Sequence, residues 1–548
     1  MKLEDYSKQE LIDLVKKLRS KKKYGLVWEE EKTKEDFGDD YARSVPVIKE
    51  REKYALNQNS ELTHHLIEGD NYSALQLLNF THAGKVDLIY IDPPYNTGND
   101  FKYNDKFINS DDPFRHSSWL SFMNKRLQLS YDLLTEDGFI FISIDDYEYA
   151  QLKLLCDEIF GGVANQNYVG TLVWQRAKGG GNSKKIVRGH EYILVYCKGA
   201  NQRLTQSGNK ASEHLKKANN PKYKDKYVKK DGIIYFINDD AVRRVFGKYE
   251  KGTERRCEYE NLLKYKSQKV KDEVDELLAK GEYVLLKQKS GLHYIGKLEP
   301  VADMRMALYS IIQGFLTEVG KNDLAEVGLE DAFDYPKPVG LMKIILDSID
   351  KKDAVILDFF AGSGTTGQAV MELNAEDDGE RQFILVTNNE GNICTDVCYP
   401  RLKNVVKGYK SQNGEKVEGN NDGLRYFQVD LIERTSNSDE MKMRLTEEIV
   451  DLLRLKEGTF KSESVKNLNY KIFSSSEKIT AVYHSFDPTD LEVLRKELDE
   501  IKTDLPIKIY AFTFDEEGVN LDDFIDFKNV SIEPIPKKLL EMLETTHA

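Results

Sequence analysis

Val86-Asp87-Leu88-Ile89-Tyr90-Ile91-Asp92-Pro93-Pro94-Tyr95 is the stretch on which the fold turns. Val86, Leu88, Ile89 and Ile91 form an apolar run the length of a buried strand, and the run stops at two prolines. A proline nitrogen has no hydrogen to give to a sheet ladder, so the strand must end there. The residue before each proline is steered into extended or turn backbone. A rigid loop therefore follows the strand's carboxyl end, carrying one carboxylate (Asp92) and one aromatic ring (Tyr95). In an open α/β sheet, that end of a strand is where ligands bind. Asp-Pro-Pro also occurs as plain turn chemistry, so the rest of the chain has to supply the remainder of a site.

Upstream, Leu66-Ile67-Glu68-Gly69-Asp70 reads as a strand and Asn71–Leu78 as a helix. With the strand at 86–91 they make a β-α-β unit, which predicts a parallel sheet. Downstream, a helix begins at Trp119, a strand covers Gly138–Ile144, a helix follows around 147–160, and strands recur at Gly170–Trp174 and Glu191–Cys197. A second anchor comes late. Ala354–Phe360 is a buried strand, Ala361–Gly367 a glycine-rich turn, and Gln368–Leu373 the start of a helix. Gly362, Gly364 and Gly367 satisfy the G-x-G-x-x-G spacing, in which the glycines let a ligand approach the backbone. Glu390 lies just past the next strand, Arg381–Val386, where an acid can accept hydrogen bonds from ribose hydroxyls. The glycine turn by itself fits a nicotinamide-dependent dehydrogenase as well as an S-adenosylmethionine site. Two features oppose the dehydrogenase: the turn sits behind a basic stretch instead of heading a domain, and Asp-Pro-Pro-Tyr has no role in such an enzyme.

Composition narrows the class. Mean hydropathy is −0.56, and no apolar run approaches the roughly 18–20 residues that span a bilayer. The first twenty residues are charged throughout and lack a signal-peptide core. Five cysteines in 548 residues make no disulfide framework. Cys394 and Cys398 have no second Cys/His pair nearby to complete a zinc site, so no metal is expected. These features predict a cytoplasmic protein without a membrane segment. The net charge of −14 is unevenly spread: residues 201–300 hold 23 Lys and Arg against 15 Asp and Glu, whereas 411–548 hold 18 against 29. A basic middle and an acidic end fit a nucleic-acid surface in one region and a different role in the other.

The Asp92-Pro93-Pro94-Tyr95 loop resembles the catalytic motif of amino-group DNA methyltransferases, in particular the N6-adenine enzymes. Phe333-Asp334-Tyr335-Pro336-Lys337-Pro338 precedes a helix at 339–348, and Phe360-Ala361-Gly362-Ser363-Gly364 follows. The order of Asp-Pro-Pro-Tyr, basic region, Pro-Lys-Pro and Phe-x-Gly-x-Gly is similar to that of the permuted β-class amino-methyltransferases. Tyr24-Gly25-Leu26-Val27-Trp28 and Cys398-Tyr399-Pro400-Arg401-Leu402-Lys403-Asn404 look like modification subunits of type III restriction-modification systems. The motifs cover roughly residues 62–200 and 330–410.

The resemblance implies a Rossmann-like α/β methyltransferase fold with a mixed, mostly parallel sheet and circularly permuted motif order. An N-terminal helical arm is expected over 1–55, with an amphipathic helix at 7–19. The catalytic half is expected over 56–200, a target-recognition insert over 201–330, the cofactor half over 331–410, and a small acidic α/β domain for dimerisation or partner contact over 411–548. It implies S-adenosylmethionine as cofactor, double-stranded DNA as substrate, a homodimer, and a restriction (helicase-nuclease) partner. By the same resemblance Asp92, Pro93, Pro94 and Tyr95 are catalytic. Lys337, Pro338, Asp358, Phe360, Gly362, Gly364 and Thr365 hold the cofactor, Glu390 its ribose and Asp70 its adenine. Lys178, Lys184, Lys185 and Arg188, in and beside a glycine-rich loop, and Lys224, Lys226, Arg243 and Arg244 in the insert are the expected DNA contacts.

The chemistry explains the residue types. The lone pair of an adenine N6 amine is delocalised into the ring, so the amine is a poor nucleophile. Acceptors for its two hydrogens, the Asp92 carboxylate and the Pro93 carbonyl, draw the nitrogen toward a tetrahedral geometry, and the prolines hold them rigid. Tyr95 would stack on a base flipped from the duplex. Asp at position 92 leans to adenine where Ser would lean to N4 of cytosine. A non-catalytic specificity protein would need the basic region but not both anchors.

Overall fold

The computed structural model describes residues 26–29, 33, 35, 44–97, 114–179, 186–199, 203–206, 209–238, 258–287, 290–301, 304–435, 438–463, 469–483, 488–501, 504–511 and 529–534. The helix expected at 7–19 lies outside these residues. The chain divides into two compact units, one of 1–202, 310–346 and 351–548, the other of 203–309 and 347–350.

The larger unit is built on a ten-stranded sheet. Its strands are β1 (Ser44–Glu50), β2 (Thr63–Glu68), β3 (Val86–Ile91), β4 (Leu134–Ile144), β5 (Tyr168–Gln175), β6 (His190–Cys197), β7 (Ile311–Ile312), β8 (Val355–Asp358), β9 (Gln382–Thr387) and β10 (Gly423–Glu433). They lie in the order β1-β10-β2-β9-β8-β3-β4-β6-β5-β7. The run from β10 to β4 is parallel throughout. β6 reverses against β4 and β5, and β1 reverses against β10. The sheet is thus mixed and mostly parallel, as expected. Parallel strands buried on both faces read as continuous apolar runs, which is why β3, β4, β8 and β9 are plain in the sequence.

Alternate residues of those strands serve opposite faces. Ile89, Ile91, Ile140, Ile142, Leu357, Ile384 and Val386 share one core with α1 (Asn71–His82), α2 (Arg115–Leu133) and α3 (Tyr149–Phe160). On the other face, α5 (Thr365–Asp377) and α6 (Tyr399–Lys407) approach β9 so closely that a Cβ at Gly367 would lie 2.5 Å from Leu402 and 3.0 Å from Leu385. Between these elements in sequence comes α4 (Val339–Asp347). Among the described residues, no helix is long and apolar enough to cross a membrane.

The structure departs from the sequence expectation at the edges. Residues 44–50, expected within a helical arm, form edge strand β1, where the Pro46 nitrogen is tolerated. The eleven-residue β10, beyond the boundary expected at 410, lies inside the main sheet between β1 and β2. Ile311–Ile312, expected in the insert, pairs with β5. Pairing partners far away in sequence carry these strands, and their own composition signals little. The smaller unit also holds a four-stranded antiparallel sheet of Tyr227–Lys230, Ile233–Asn238, Tyr283–Lys287 and His293–Pro300. Its strands are short and mostly half-exposed, so no apolar run announces them.

Toward the C-terminus, a five-stranded sheet holds Lys461–Ser462, Tyr470–Ser474, Ile479–Tyr483, Ile507–Ala511 and Val530–Pro534. Phe473, Val482 and Tyr510 belong to the same core as α1 and α7 (Val450–Glu457). Buried Glu457 ends α7 and accepts from Lys478 Nζ (2.8 Å), the Tyr510 hydroxyl (2.6 Å) and Lys508 Nζ (3.1 Å). Burial pushes its pKa up, but these donors outweigh burial and hold it at about 2. A carboxyl depressed in the folded state adds stability above its ordinary range, and loses it as pH falls from 4.5 toward about 2. Glu457→Gln is expected to cost about 2 kcal/mol near neutral pH. In urea denaturation the gap from wild type should narrow as pH falls below about 4.5; a pH-independent gap would contradict the assignment.

Candidate active site

β8 and β3 are neighbours, with Ile356 opposite Leu88 and Leu357 opposite Ile89. Two loops far apart in sequence therefore open side by side at the strands' carboxyl ends. After β3, the Pro94 carbonyl accepts from Trp119 Nε1 of α2 at 2.7 Å, and Trp119 is wholly buried. The next residues, Tyr95 and Asn96, turn back into the protein. Asn96 is buried at φ 53°, and its amide donates to Glu148.

Within this loop the Tyr95 hydroxyl donates to Asp92 Oδ1 at 2.7 Å. Lys337, just ahead of α4, brings its Nζ to 3.0 Å from Asp92 Oδ1, 2.8 Å from the Tyr95 oxygen and 3.0 Å from Glu191 Oε2. The ammonium also lies 5.2 Å from the Tyr95 ring centre and 5.4 Å from that of Trp174. Glu191, at the start of β6, reaches the Tyr95 hydroxyl at 3.1 Å and takes Arg176 Nη1 on its other oxygen at 2.8 Å. Burial raises the Asp92 pKa; Lys337 pulls it down, Glu191 pushes it up, and the net shift is upward. For Glu191 the balance is opposite, because Lys337 and Arg176 overcome burial and hold it low. Lys337 is kept protonated by the two carboxylates despite burial.

After β8, Asp358 Oδ2 accepts from the Thr366 hydroxyl (2.6 Å) and Oδ1 from the Phe360 N–H (3.0 Å). Asp358 is thus spent on bracing the turn, and burial pushes its carboxyl up to about 7. Phe360 is buried against Phe122 and Phe359. Gly362 and Gly364 stand at φ 50° and 78°, the left-handed region that favours glycine. Among the described residues, a Cβ at Gly362 would meet only Phe333 and Phe360, each at 3.8 Å, so the turn offers open backbone. At Gly364 a Cβ would come within 2.9 Å of Cys398 Sγ. Thr365 is buried and faces Arg401, and Pro338 is buried with its carbonyl accepting from the first turn of α4.

Asp70 ends the β2 segment and caps α1, accepting from the Ser73 N–H at 3.0 Å, with about half its side chain exposed. Glu390 opens a short turn past β9. Because β2, β9, β8 and β3 are consecutive, Asp70, Glu390, Asp358 and Asp92 line one edge of the sheet. Among the expected DNA contacts, Lys178 and Lys226 are exposed. Arg188 is exposed but paired with Asp146 (3.3 Å) and placed over the Tyr147 ring. Lys184, Lys185, Arg243 and Arg244 lie outside the described residues, as does the Lys224 side chain.

Sequence reading missed Glu191, Arg176 in its pairing role, and Arg401. The available signal was an acid opening an otherwise apolar strand, His190-Glu191-Tyr192-Ile193-Leu194. A buried acid at a strand start needs a cation nearby.

The family model described as "DNA methylase" matches residues 86–396, more than half the chain and both anchor loops. The chain belongs to this DNA methylase family. It is 35% identical over 402 residues to the type III restriction-modification enzyme StyLTI Mod subunit of Salmonella typhimurium, covering 64% of this chain and 58% of that one. The type II methyltransferase M.KpnI of Klebsiella pneumoniae is 32% identical over 392 residues, covering 66% and 90% respectively. The EcoP15I Mod subunit of Escherichia coli is 32% identical over 443 residues, covering 68% and 65%. The chain therefore spans under two thirds of the two Mod subunits and most of M.KpnI.

Proposed function

We propose that this chain transfers a methyl group from S-adenosylmethionine to the N6 amine of adenine in a short asymmetric DNA sequence. In this reading it is the modification subunit of a type III restriction-modification system. The observation that carries it is the meeting of Asp92 and Tyr95 with Lys337 on strands that also present an open glycine turn. That turn fits the amino-acid end of the cofactor, and acids past β2 and β9 fit its adenosine. The cofactor supplies a methyl already activated on a sulfonium. Bound there, it would let the amine displace a neutral thioether, while Asp92 would hold the amine's hydrogen and take up its surplus proton. A carboxyl with a raised pKa suits that proton. A second copy of the chain and a separate restriction chain complete the proposed assembly in the cytoplasm, in keeping with the Mod designation of two relatives.

Modification-sensitive sequencing of DNA from a methylation-free host expressing the chain tests this. N6-methyladenine on one strand of an asymmetric motif is the expected result. The high coverage of M.KpnI favours a second reading, a stand-alone type II enzyme, which would instead mark both strands of a palindrome. Soluble protein with no methylated DNA would overturn both. Binding to duplex DNA is also expected to weaken by about ten-fold or more between 50 and 200 mM salt, because displaced counterions are recovered. A flat response in a filter-binding titration would remove the phosphate contacts from the account.

A further inference from the structure

We propose that Glu191 is a positioning residue that takes over the Lys337 ammonium when the target amine docks, releasing Asp92 to accept from that amine. The inference rests on reading the site as an amino-methyltransferase centre, and it concerns a residue that the Asp-Pro-Pro-Tyr chemistry leaves unassigned.

Asp92 Oδ1 already accepts from Tyr95 and Lys337. Oδ1 is thereby taken, and an ammonium on the shared carboxylate draws off electron density that Oδ2 would otherwise offer an incoming N–H. Lys337 Nζ sits 3.0 Å from Asp92 Oδ1 and 3.0 Å from Glu191 Oε2, so a small swing of a flexible stem changes which carboxylate carries it. Glu191 is built to receive it. Its side chain is 6% exposed, it stands on a central strand, and Arg176 grips its other oxygen. With Lys337 moved across, Arg176, Glu191 and Lys337 form a cationic triad facing the Asp92 anion. No buried charge is left without a counter-charge.

Among the described residues, the groups facing this pair are few. Tyr90 and Tyr95 come from β3 and its loop, Asp358 from β8, Asp145 from beyond β4, Arg176 from beyond β5, and Lys337 from the segment before α4. Glu191 is the like charge that raises Asp92. Removing it also leaves Lys337 on Asp92 alone, and both changes favour the Asp92 carboxylate at lower pH.

Methyl-transfer rates across pH, with cofactor and DNA affinities, test the inference on the full chain. Glu191→Gln should lower kcat about 10–100-fold and shift the acid limb of kcat/KM down by about one pH unit. Cofactor and DNA Kd should stay within about three-fold of wild type. Glu191→Asp, which keeps the charge, should keep the wild-type limb and regain part of kcat. A kcat near wild type in Glu191→Gln, or a fall with the limb unmoved, would overturn the proposal and leave the methyltransferase reading standing. A second readout needs no turnover. Acylation of Lys337 in the free protein, followed by mass spectrometry, should speed up in Glu191→Gln, because the amine loses a partner that keeps it protonated. An unchanged rate also overturns the proposal. A wild-type protein that methylates no DNA would sink the methyltransferase reading itself.

Discussion

Asp92→Ala is expected to lower the single-turnover rate of methyl transfer by about 10³-fold or more, with cofactor and DNA affinities largely kept. The reason is the narrow task of the carboxylate. In the proposed reaction it would accept a hydrogen from the amine, which raises the nitrogen's nucleophilicity, and take the proton that the methylated nitrogen sheds. The same proposal rests binding of DNA and cofactor on other groups, so KM and Kd should move little while kcat collapses. The loop should keep its place, because Trp119 holds the Pro94 carbonyl and Asn96 is anchored on Glu148. Lys337 would retain Glu191 as a counter-ion. Asp92→Asn keeps the shape and one acceptor oxygen but loses the proton acceptor, and its rate should fall between the two. Turnover near wild type in Asp92→Ala would remove Asp92 from the mechanism.

How much of this was legible in the sequence follows from the range of the interactions involved. The central parallel strands and the two loops could be read because each signal is local: an apolar run, then prolines after β3 or glycines after β8. The adjacency of β3 and β8 follows only from the resemblance in motif order, since nothing within either strand names its partner. β1 and β10 went unread for the same reason. Val45, Val47 and Ile48 are a brief apolar patch in charged sequence, and they become a strand only because β10 offers an edge. The site shows the same division. Asp92 and Tyr95 stand in one short motif, whereas Glu191 and Arg176 become part of it only through contacts with Tyr95 and Lys337 across the fold. Asp358 was readable as part of the glycine-turn motif, but its work of pinning Thr366 and the Phe360 N–H emerges from geometry.

Arg401 carries the second large expectation, and it shows how a quoted motif can hide a role. It lies in Cys398-Tyr399-Pro400-Arg401, on α6, and is completely buried. Its Nε donates to Gln368 Oε1 at 2.7 Å, and its Nη1 donates to the Thr365 hydroxyl at 2.7 Å and to Ser363 Oγ at 3.1 Å. The guanidinium therefore clamps the glycine turn from beneath, tying it to α6. Burial lowers its pKa to about 10, against support from Asp323, Cys398 and Glu372, so it stays charged at neutral pH. Arg401→Met fills the space but withdraws every donor, leaving Thr365, Ser363 and Gln368 to lose their shared partner. The expected cost is about 3 kcal/mol of stability in the larger unit. A turn free to sample other backbone states must be reordered on binding, so cofactor Kd should rise about ten-fold or more. Arg401→Lys, able to reach only part of the set, should fall between. Denaturant titration and cofactor calorimetry on the same preparations separate the two effects. A folded Arg401→Met protein with wild-type cofactor affinity would mean that Asp358, Thr366 and the left-handed glycines hold the turn without the clamp.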